Sequence, residues 1–550
     1  MKKILLVYIA LICSIHTMYA QLIPVRNFRA VREAEKNTYN INNKKHSSFS
    51  SYYFTDFTDI DEFADSTSKR LHGQSEFSLR TNLQKEKFRI NILPIFEIFY
   101  ALNADDVKKS SFYLNGGGLF DLTLSDKLGL SYLFNYSFFI NLPDFLKTEN
   151  LNKTILNGYG QIFGTNRTMA INNDFKLTYM PYDFLKLELA NSKNFFGDGY
   201  RSLFLSENAK NYPYFKIETQ FLDFKYSCVW AYLNYYTYDE NSCTANKQND
   251  KLAVFHYFDW NITKRFSFGL FEAITASNKK FFDFEFLNPF VFFRPVDFSM
   301  GSPSNVIVGA NFKYSINSNN AFYLQVAIDD IVVGQLFNDL KHAVNKNYVG
   351  EYGWFANKWA IQFGEKSFDI GGIKNLDGFI ELNLARPYTY TQYNANNNYA
   401  HFQQALAHPL GANFVEIIGG LNYYFLKKFN IDLEFMFASL GLDISNTEHN
   451  GQNIFLPTMD GVHSGWQYIV SSYGNTLLQG NKTNIFTLHF DFSYSIRENL
   501  SVNCGAIVRH VNPENEFAAN TNTPNSYIQK LNAYFYIGFR SNFGKIKMLY

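Results

Sequence analysis

The chain has 550 residues, with 50 Lys and Arg against 49 Asp and Glu, and it carries 58 Phe, 38 Tyr and 5 Trp. A formal charge of +1 argues against a nucleic-acid binder, which usually shows a basic surface. Aromatic and charged residues each make up 18% of the chain, which sits poorly with the three or four soluble domains that length alone suggests. A codon bias towards Asn, Lys, Ile, Phe and Tyr could give the same composition, so patterning has to decide.

Lys2 and Lys3 precede an apolar run from Ile4 to Ile15, and Ala20 follows. This is the layout of a secretory signal peptide over residues 1–20, and the run is too short to span a bilayer as a helix. Cys13 lacks the small preceding residue of a lipoprotein signal. Cys228, Cys243 and Cys504 remain after export, and their spacing fits neither a disulfide framework nor a metal site. Residues 21–85 form a polar segment expected in the periplasm or beneath a barrel, with Arg29 to Glu35 able to form a short helix. A disordered arm is the other reading.

From residue 86 to 550 the pattern has period two. Phe88, Ile90, Ile92, Pro94, Phe96, Ile98 and Tyr100 share one face, with Arg89, Asn91 and Glu97 on the other. Phe486, Leu488, Phe490, Phe492 and Tyr494 oppose Thr487, His489, Asp491, Ser493 and Ser495. Val502, Cys504, Ala506 and Val508 oppose Ser501, Asn503, Gly505 and Arg509. Successive strand side chains point to opposite sides, so Cys504 should face lipid, while Cys243 falls in a loop. Tight turns are expected near Asp126, Tyr182, Leu222, Ile262, Asn317, Gly372, Lys427 and Arg497. With a first strand near 87–100 and a last near 530–543, they imply an all-β transmembrane antiparallel barrel of about 18 strands. The connections at the other end are expected to be long, at about 10 to 40 residues, as in outer-membrane barrels. Such loops can fold over or into the lumen.

Four loop segments concentrate Arg, Asp, Asn and His beside aromatic rings. They are residues 194–208, 286–295 with 301–303, 353–358, and 385–390 with 399–404 and 408–413. Aromatic faces stack on sugars and planar polar groups bind hydroxyls, so Asp198, Tyr200, Arg201, Asn208, Arg294, Asp297, Trp354, Arg386, Tyr388, His401 and His408 are candidate ligand-binding residues. The same residues suit a loop plug whose polar groups satisfy one another. Neither a metal nor a cofactor is expected: His401 and His408 lack further ligands, and Gly197-Asp-Gly199 lacks a nucleotide-binding context. No Gly-x-Ser-x-Gly nucleophile run occurs, so the chain reads as non-enzymatic.

Residues 85–545 resemble a known family. The run from Gly197 to Asn208, the Leu-Asn-Pro…Phe-Arg-Pro-Val run from Leu287, Trp354 with Asn357-Lys358, and the runs from Arg386 to Tyr390 and His408 to Asn413 look like those of RemB-like gliding motility proteins. Those are similar to the wider capsule assembly family named for Wzi. The resemblance implies an 18-stranded outer-membrane barrel closed by loops, a lectin holding surface polysaccharide, with outer-membrane lipid and motility or adhesion proteins as further partners. Two other readings stay open. A diffusion porin would use Arg89, Glu97, Asp432, Glu434 and His489 to line a wet pore, and a scaffold would dock motility machinery on its loops.

Overall fold

The computed structural model describes residues 35–42, 45–49, 89–125, 127–150, 153–156, 158–161, 167–239, 244–277, 304–345, 347–426, 428–444, 448–458, 468–497, 500–517, 527–528 and 530–541. Eighteen strands form one antiparallel sheet. They are β1 (Arg89–Asn103), β2 (Ser111–Ser125), β3 (Leu128–Ile140), β4 (Arg167–Tyr182), β5 (Leu185–Ser192), β6 (Tyr212–Phe221), β7 (Phe224–Asp239), β8 (Thr244–Trp260), β9 (Phe266–Ser277), β10 (Asn305–Ser315), β11 (Asn320–Asp330), β12 (Lys358–Ser367), β13 (Leu376–Ala385), β14 (Phe414–Phe425), β15 (Phe429–Leu442), β16 (Asn481–Arg497), β17 (Leu500–Pro513) and β18 (Lys530–Ser541). Each pairs with the next, and β1 pairs with β18, with Glu97 opposite Arg540 and Ile98 opposite Phe539. The sheet is therefore a closed barrel.

Alternation sets which face each residue takes. On β16, Phe486 and Phe490 are exposed while Thr487, His489 and Asp491 are buried. On β17, Cys504 is exposed while Ser501, Asn503 and Arg509 are buried on the opposite face. Phe96, Tyr100, Phe120, Phe134, Leu189, Phe363, Leu421, Phe535 and Ile537 continue the exposed apolar face around the wall. So much contiguous apolar surface calls for lipid rather than water. Ring closure removes the open sheet edges that a bilayer interior does not tolerate in a spanning sheet. The chain is an outer-membrane β-barrel. No described helix is long and apolar enough to cross a membrane; the strands do so.

All eight tight turns fall where the sequence places them, between β2 and β3, β4 and β5, and so on to β16 and β17. The first and last strands also match, and β1 begins and β18 ends on this short-turn side. The opposite end differs from expectation twice. The β1–β2 connection is only 104–110, tightened by a 3-10 turn at Val107–Lys109. The β7–β8 strands stay paired as far as Asp239 and Thr244, so a projecting ribbon replaces the long loop expected there. Strands of 16 and 17 residues exceed the roughly 9–11 needed to cross a bilayer. Continuing the ladder satisfies backbone groups that an irregular loop would leave to water. Cys243 lies outside the described residues.

Of the N-terminal segment, residues 35–42 and 45–49 lie in the short-turn end of the barrel. A single helical turn spans 35–39; residues 29–34, where a helix was expected, lie outside the described residues. Lys366 donates to Glu35 at 2.6 Å, and Lys36 pairs with Asp369. His46 meets Asp259 at 2.5 Å. Phe49 packs against Tyr257 at 5.1 Å and Phe196 at 5.7 Å. Tyr39 and Phe49 are the aromatic residues of a largely polar stretch, and the lumen is where they are buried.

Candidate functional site: the lumen plug and outer cap

The 193–211 connection between β5 and β6 turns into the bore. Leu203, Phe204 and Leu205 are fully buried there, and the Phe204 ring stacks on Phe271 of β9 at 4.8 Å. Phe196 stacks on Tyr257 at 4.9 Å. Polar residues fasten the segment at its descending turn. Asp198 accepts from Asn311 at 2.7 Å, from Ser47 at 2.5 Å and from Tyr39 at 3.2 Å. The Tyr200 and Arg201 backbone amides donate to the two Glu381 oxygens at 2.7 and 3.1 Å. Gly197 has φ +128°, and a Cβ there would meet Gln325 at 1.9 Å. The turn therefore needs glycine for its backbone and for space.

Arg201 crosses the bore to β14, where Nη2 donates to Glu416 Oε1 at 3.2 Å. Glu416 Oε2 accepts from Asn383 at 3.0 Å and lies 2.8 Å from His408 Nε2. The Leu410 amide donates to His408 Nδ1 at 3.2 Å, so Nε2 carries the proton. Burial pushes the His408 pKa below its ordinary value, and the nearby Glu416 only partly opposes this. One guanidinium, one neutral imidazole and one carboxylate thus close on themselves, with amides filling the remaining positions.

Above this layer lies the 386–413 connection between β13 and β14. The Tyr390 hydroxyl donates to Leu203 O at 2.9 Å, which joins the cap to the plug. The Tyr388 hydroxyl donates to His449 O at 2.7 Å. Arg386 donates to Asp339 at 3.1 Å and to Asn475 O at 3.2 Å. His401 Nδ1 accepts from the Asn234 amide at 3.0 Å, and its pKa is pushed down to about 3 by burial, with Lys251 adding to the shift. Asn208 donates to Ala405 O at 3.0 Å.

The sequence-derived candidates therefore separate into two groups. Asp198, Arg201, Arg386, Tyr388, His401 and His408 are buried and bonded to protein groups. Tyr200, Asn208 and Trp354 are half-buried. Arg294 and Asp297 lie outside the described residues. His401 and His408 have separate partners, and among the described residues no group of three His, Cys, Asp or Glu could hold a metal ion. The lumen-facing Glu97 accepts from Tyr113 at 3.0 Å and faces Arg540 at 3.4 Å. His489 lies 2.9 Å from the Tyr536 hydroxyl and 3.3 Å from Glu434.

Sequence reasoning missed the partners. Glu381 and Glu416 were readable as lone carboxylates on inward faces of apolar strands. Tyr473 carried no such signal. Its ring meets Trp354 at 4.9 Å and 45°, and both are half-buried on the outer side of the cap. Gln335 donates to the Tyr473 hydroxyl at 3.5 Å. This pair, with exposed Glu351 and half-buried Gln335 at its edge, is an accessible aromatic surface on the cap, and Tyr393 of the 386–413 connection is a further exposed ring.

No family model matches the chain, and no curated protein matches it in sequence. Among solved structures it is similar to Wzi, an outer-membrane protein involved in group 1 capsule assembly in Escherichia coli and a carbohydrate-binding β-barrel. The identity is 10% over 94% of this chain and 98% of that one, with a TM-score of 0.49. OprD from Pseudomonas aeruginosa is 10% identical over 82% of this chain and 93% of its own, with a TM-score of 0.41. OpdO from the same organism is 8% identical over 83% and 96%, with a TM-score of 0.42. These likenesses assign no residue a role.

Proposed function

We propose that this outer-membrane barrel is a non-enzymatic binding protein that holds or organises cell-surface polysaccharide on its outer cap. The observation that carries the reading is the division of labour in the loops. Buried Arg201, His408, Tyr388 and Arg386 fix the plug, which leaves Trp354 and Tyr473 as an outward aromatic surface rimmed by amide and carboxylate groups. Rings suit the C–H faces of sugars, and the polar rim suits their hydroxyls. RemB-like gliding or adhesion is the finer reading, since a retained surface polymer would serve either.

Polysaccharide retained on cells lacking the gene, compared with parent and complemented cells, tests this. Polymer shed into the medium only by the deletion strain is the expected result. Unchanged retention with lost spreading would replace glycan holding with docking of motility machinery. A porin reading draws on the polar lumen face of Asp121, Asn135, Asp432 and Asp491. Single-channel recording separates the two, because a plugged lectin is silent and a porin conducts steadily.

A further inference from the structure

The connection from β11 to β12 carries one helix, α1 (Val333–Val344), in which no residue is buried. One face is polar and bonded to the cap. Gln335 donates to Tyr473 at 3.5 Å, and Asn338 accepts from Tyr348 at 3.0 Å. Asp339 accepts from the Gly353 amide at 2.6 Å and from Arg386 at 3.1 Å. The His342 ring stacks on Tyr352 at 3.5 Å. The opposite face is apolar and bare: Val333 is 60% exposed, Phe337 58%, Leu340 53% and Val344 90%. Their spacing is that of a single helical stripe.

The position of the helix says what covers that stripe. The Val332 amide donates to Asn357 at 2.8 Å, one residue before β12 begins. Arg386, the partner of Asp339, follows the last residue of β13. The helix thus sits at the rim where β11, β12 and β13 end. Its polar face is tied towards the cap, so its apolar face points away from it. Directly below, Phe363 on β12 and Ile380 and Leu382 on β13 are exposed on the lipid-facing wall. The stripe continues that wall. An amphipathic helix at this level lies in the membrane interface.

We propose that α1 is an interfacial anchor, with Val333, Phe337, Leu340 and Val344 seated among the acyl chains of outer-leaflet lipid. Lipid contact then holds Asp339 beneath Arg386 and couples the membrane surface to the cap. The test is a nitroxide placed singly at Phe337→Cys, Leu340→Cys or Asn347→Cys, with Cys243 and Cys504 replaced by Ser and the buried Cys228 by Ala, in the full chain reconstituted in phospholipid vesicles. Heat-modifiable mobility on gels first confirms a folded barrel for each variant, and Val344→Cys replaces either helix position that fails. Labels at 337 and 340 should collide several-fold more with oxygen than with a water-soluble nickel chelate, and the label at 347 should show the reverse. Chelate-favoured collisions at 337 and 340 would overturn the proposal. So would dipolar broadening at 340 that vanishes on dilution with unlabelled protein, because a second copy would then cover the face.

Discussion

Arg201 and Glu416 meet at 3.2 Å across the bore although 215 residues separate them in sequence. Both are buried, and the contact ties a loop that leaves β5 to the opposite wall. Breaking a buried pair by removing one partner costs about 3–5 kcal/mol, whereas replacing both with apolar groups is often neutral. Arg201→Ala should therefore lower the temperature of the heat-induced gel shift and open residues 193–211 to protease. The neutral double variant Arg201→Met, Glu416→Gln, whose amide oxygen still accepts from His408, should recover part of the loss. Unchanged heat stability and protection in Arg201→Ala would remove the plug role.

Strand number, turn positions and facing were legible because period-two alternation is local and the bilayer makes its outer half strictly apolar. The loops were legible only as composition. That Arg201 and His408 share Glu416 depends on β14 lying across the bore from the β5–β6 connection, which no local pattern encodes. The entry of Tyr39 and Phe49 into the lumen was hidden for a related reason. A few large side chains in a polar stretch look like an unstructured arm until the barrel offers them a wall. The same locality hid the β7–β8 ribbon, since alternation weakens once strands leave the lipid.

Gly199 tests the descending turn more gently than a charge deletion. A Cβ there would stand 2.5 Å from Arg201 O and Gln362 Oε1 and 2.6 Å from Glu381 Oε2. Glu381 Oε2, which receives the Tyr200 amide, would have to move. Gly199→Ala should lower the gel-shift temperature and expose the plug to protease. Gly334→Ala in α1 meets nothing within 4 Å and should stabilise its helix by up to about 1 kcal/mol. Equal behaviour of the two variants would mean that steric fit at the turn is unimportant.

The cap should weaken in acid. Burial holds His401 and His449 at about 3 and depresses His408, all from an ordinary value of 6.5. A loop released from the cap takes up protons below about 6.5, while the docked loop does not until its lower pKa is reached. Detached forms then bind more protons, so stability falls as pH drops through that window. Amide exchange in 386–413, corrected for intrinsic rates, should quicken between pH 7.5 and pH 5, whereas in 448–458 Asp443, raised to about 7 by burial and bonded to the Asn450 amide, offsets the histidine effect. A flat profile in 386–413 would show that His401 and His408 already meet water.

Cys504 reports the register of β17. It is exposed on the outer face, and Asn503 beside it is buried in the lumen. A water-soluble maleimide should leave Cys504 unlabelled in membranes and label it once detergent replaces lipid with a permeable shell. Because a one-residue slip exchanges the two faces, strong labelling in intact membranes would place Cys504 towards water.

Trp354 and Tyr473 carry the glycan proposal, and their substitution should separate binding from folding. Both rings are half-buried at the outer surface and touch at 4.9 Å, so Trp354→Ala removes a platform without emptying the plug. Losing one ring of the platform should weaken glycan binding by up to about tenfold, or roughly 1.4 kcal/mol. Trp354→Ala and Tyr473→Ala should each release polysaccharide from cells while the barrel keeps its heat-induced gel shift. Tyr473→Phe keeps the ring but loses the hydroxyl that accepts from Gln335, so it should fall between parent and Tyr473→Ala. If all three variants retain polymer like the parent, glycan contact lies elsewhere on the cap. If Arg386→Ala alone releases it, the buried Arg386–Asp339 tie governs retention by holding the cap in place rather than by touching sugar.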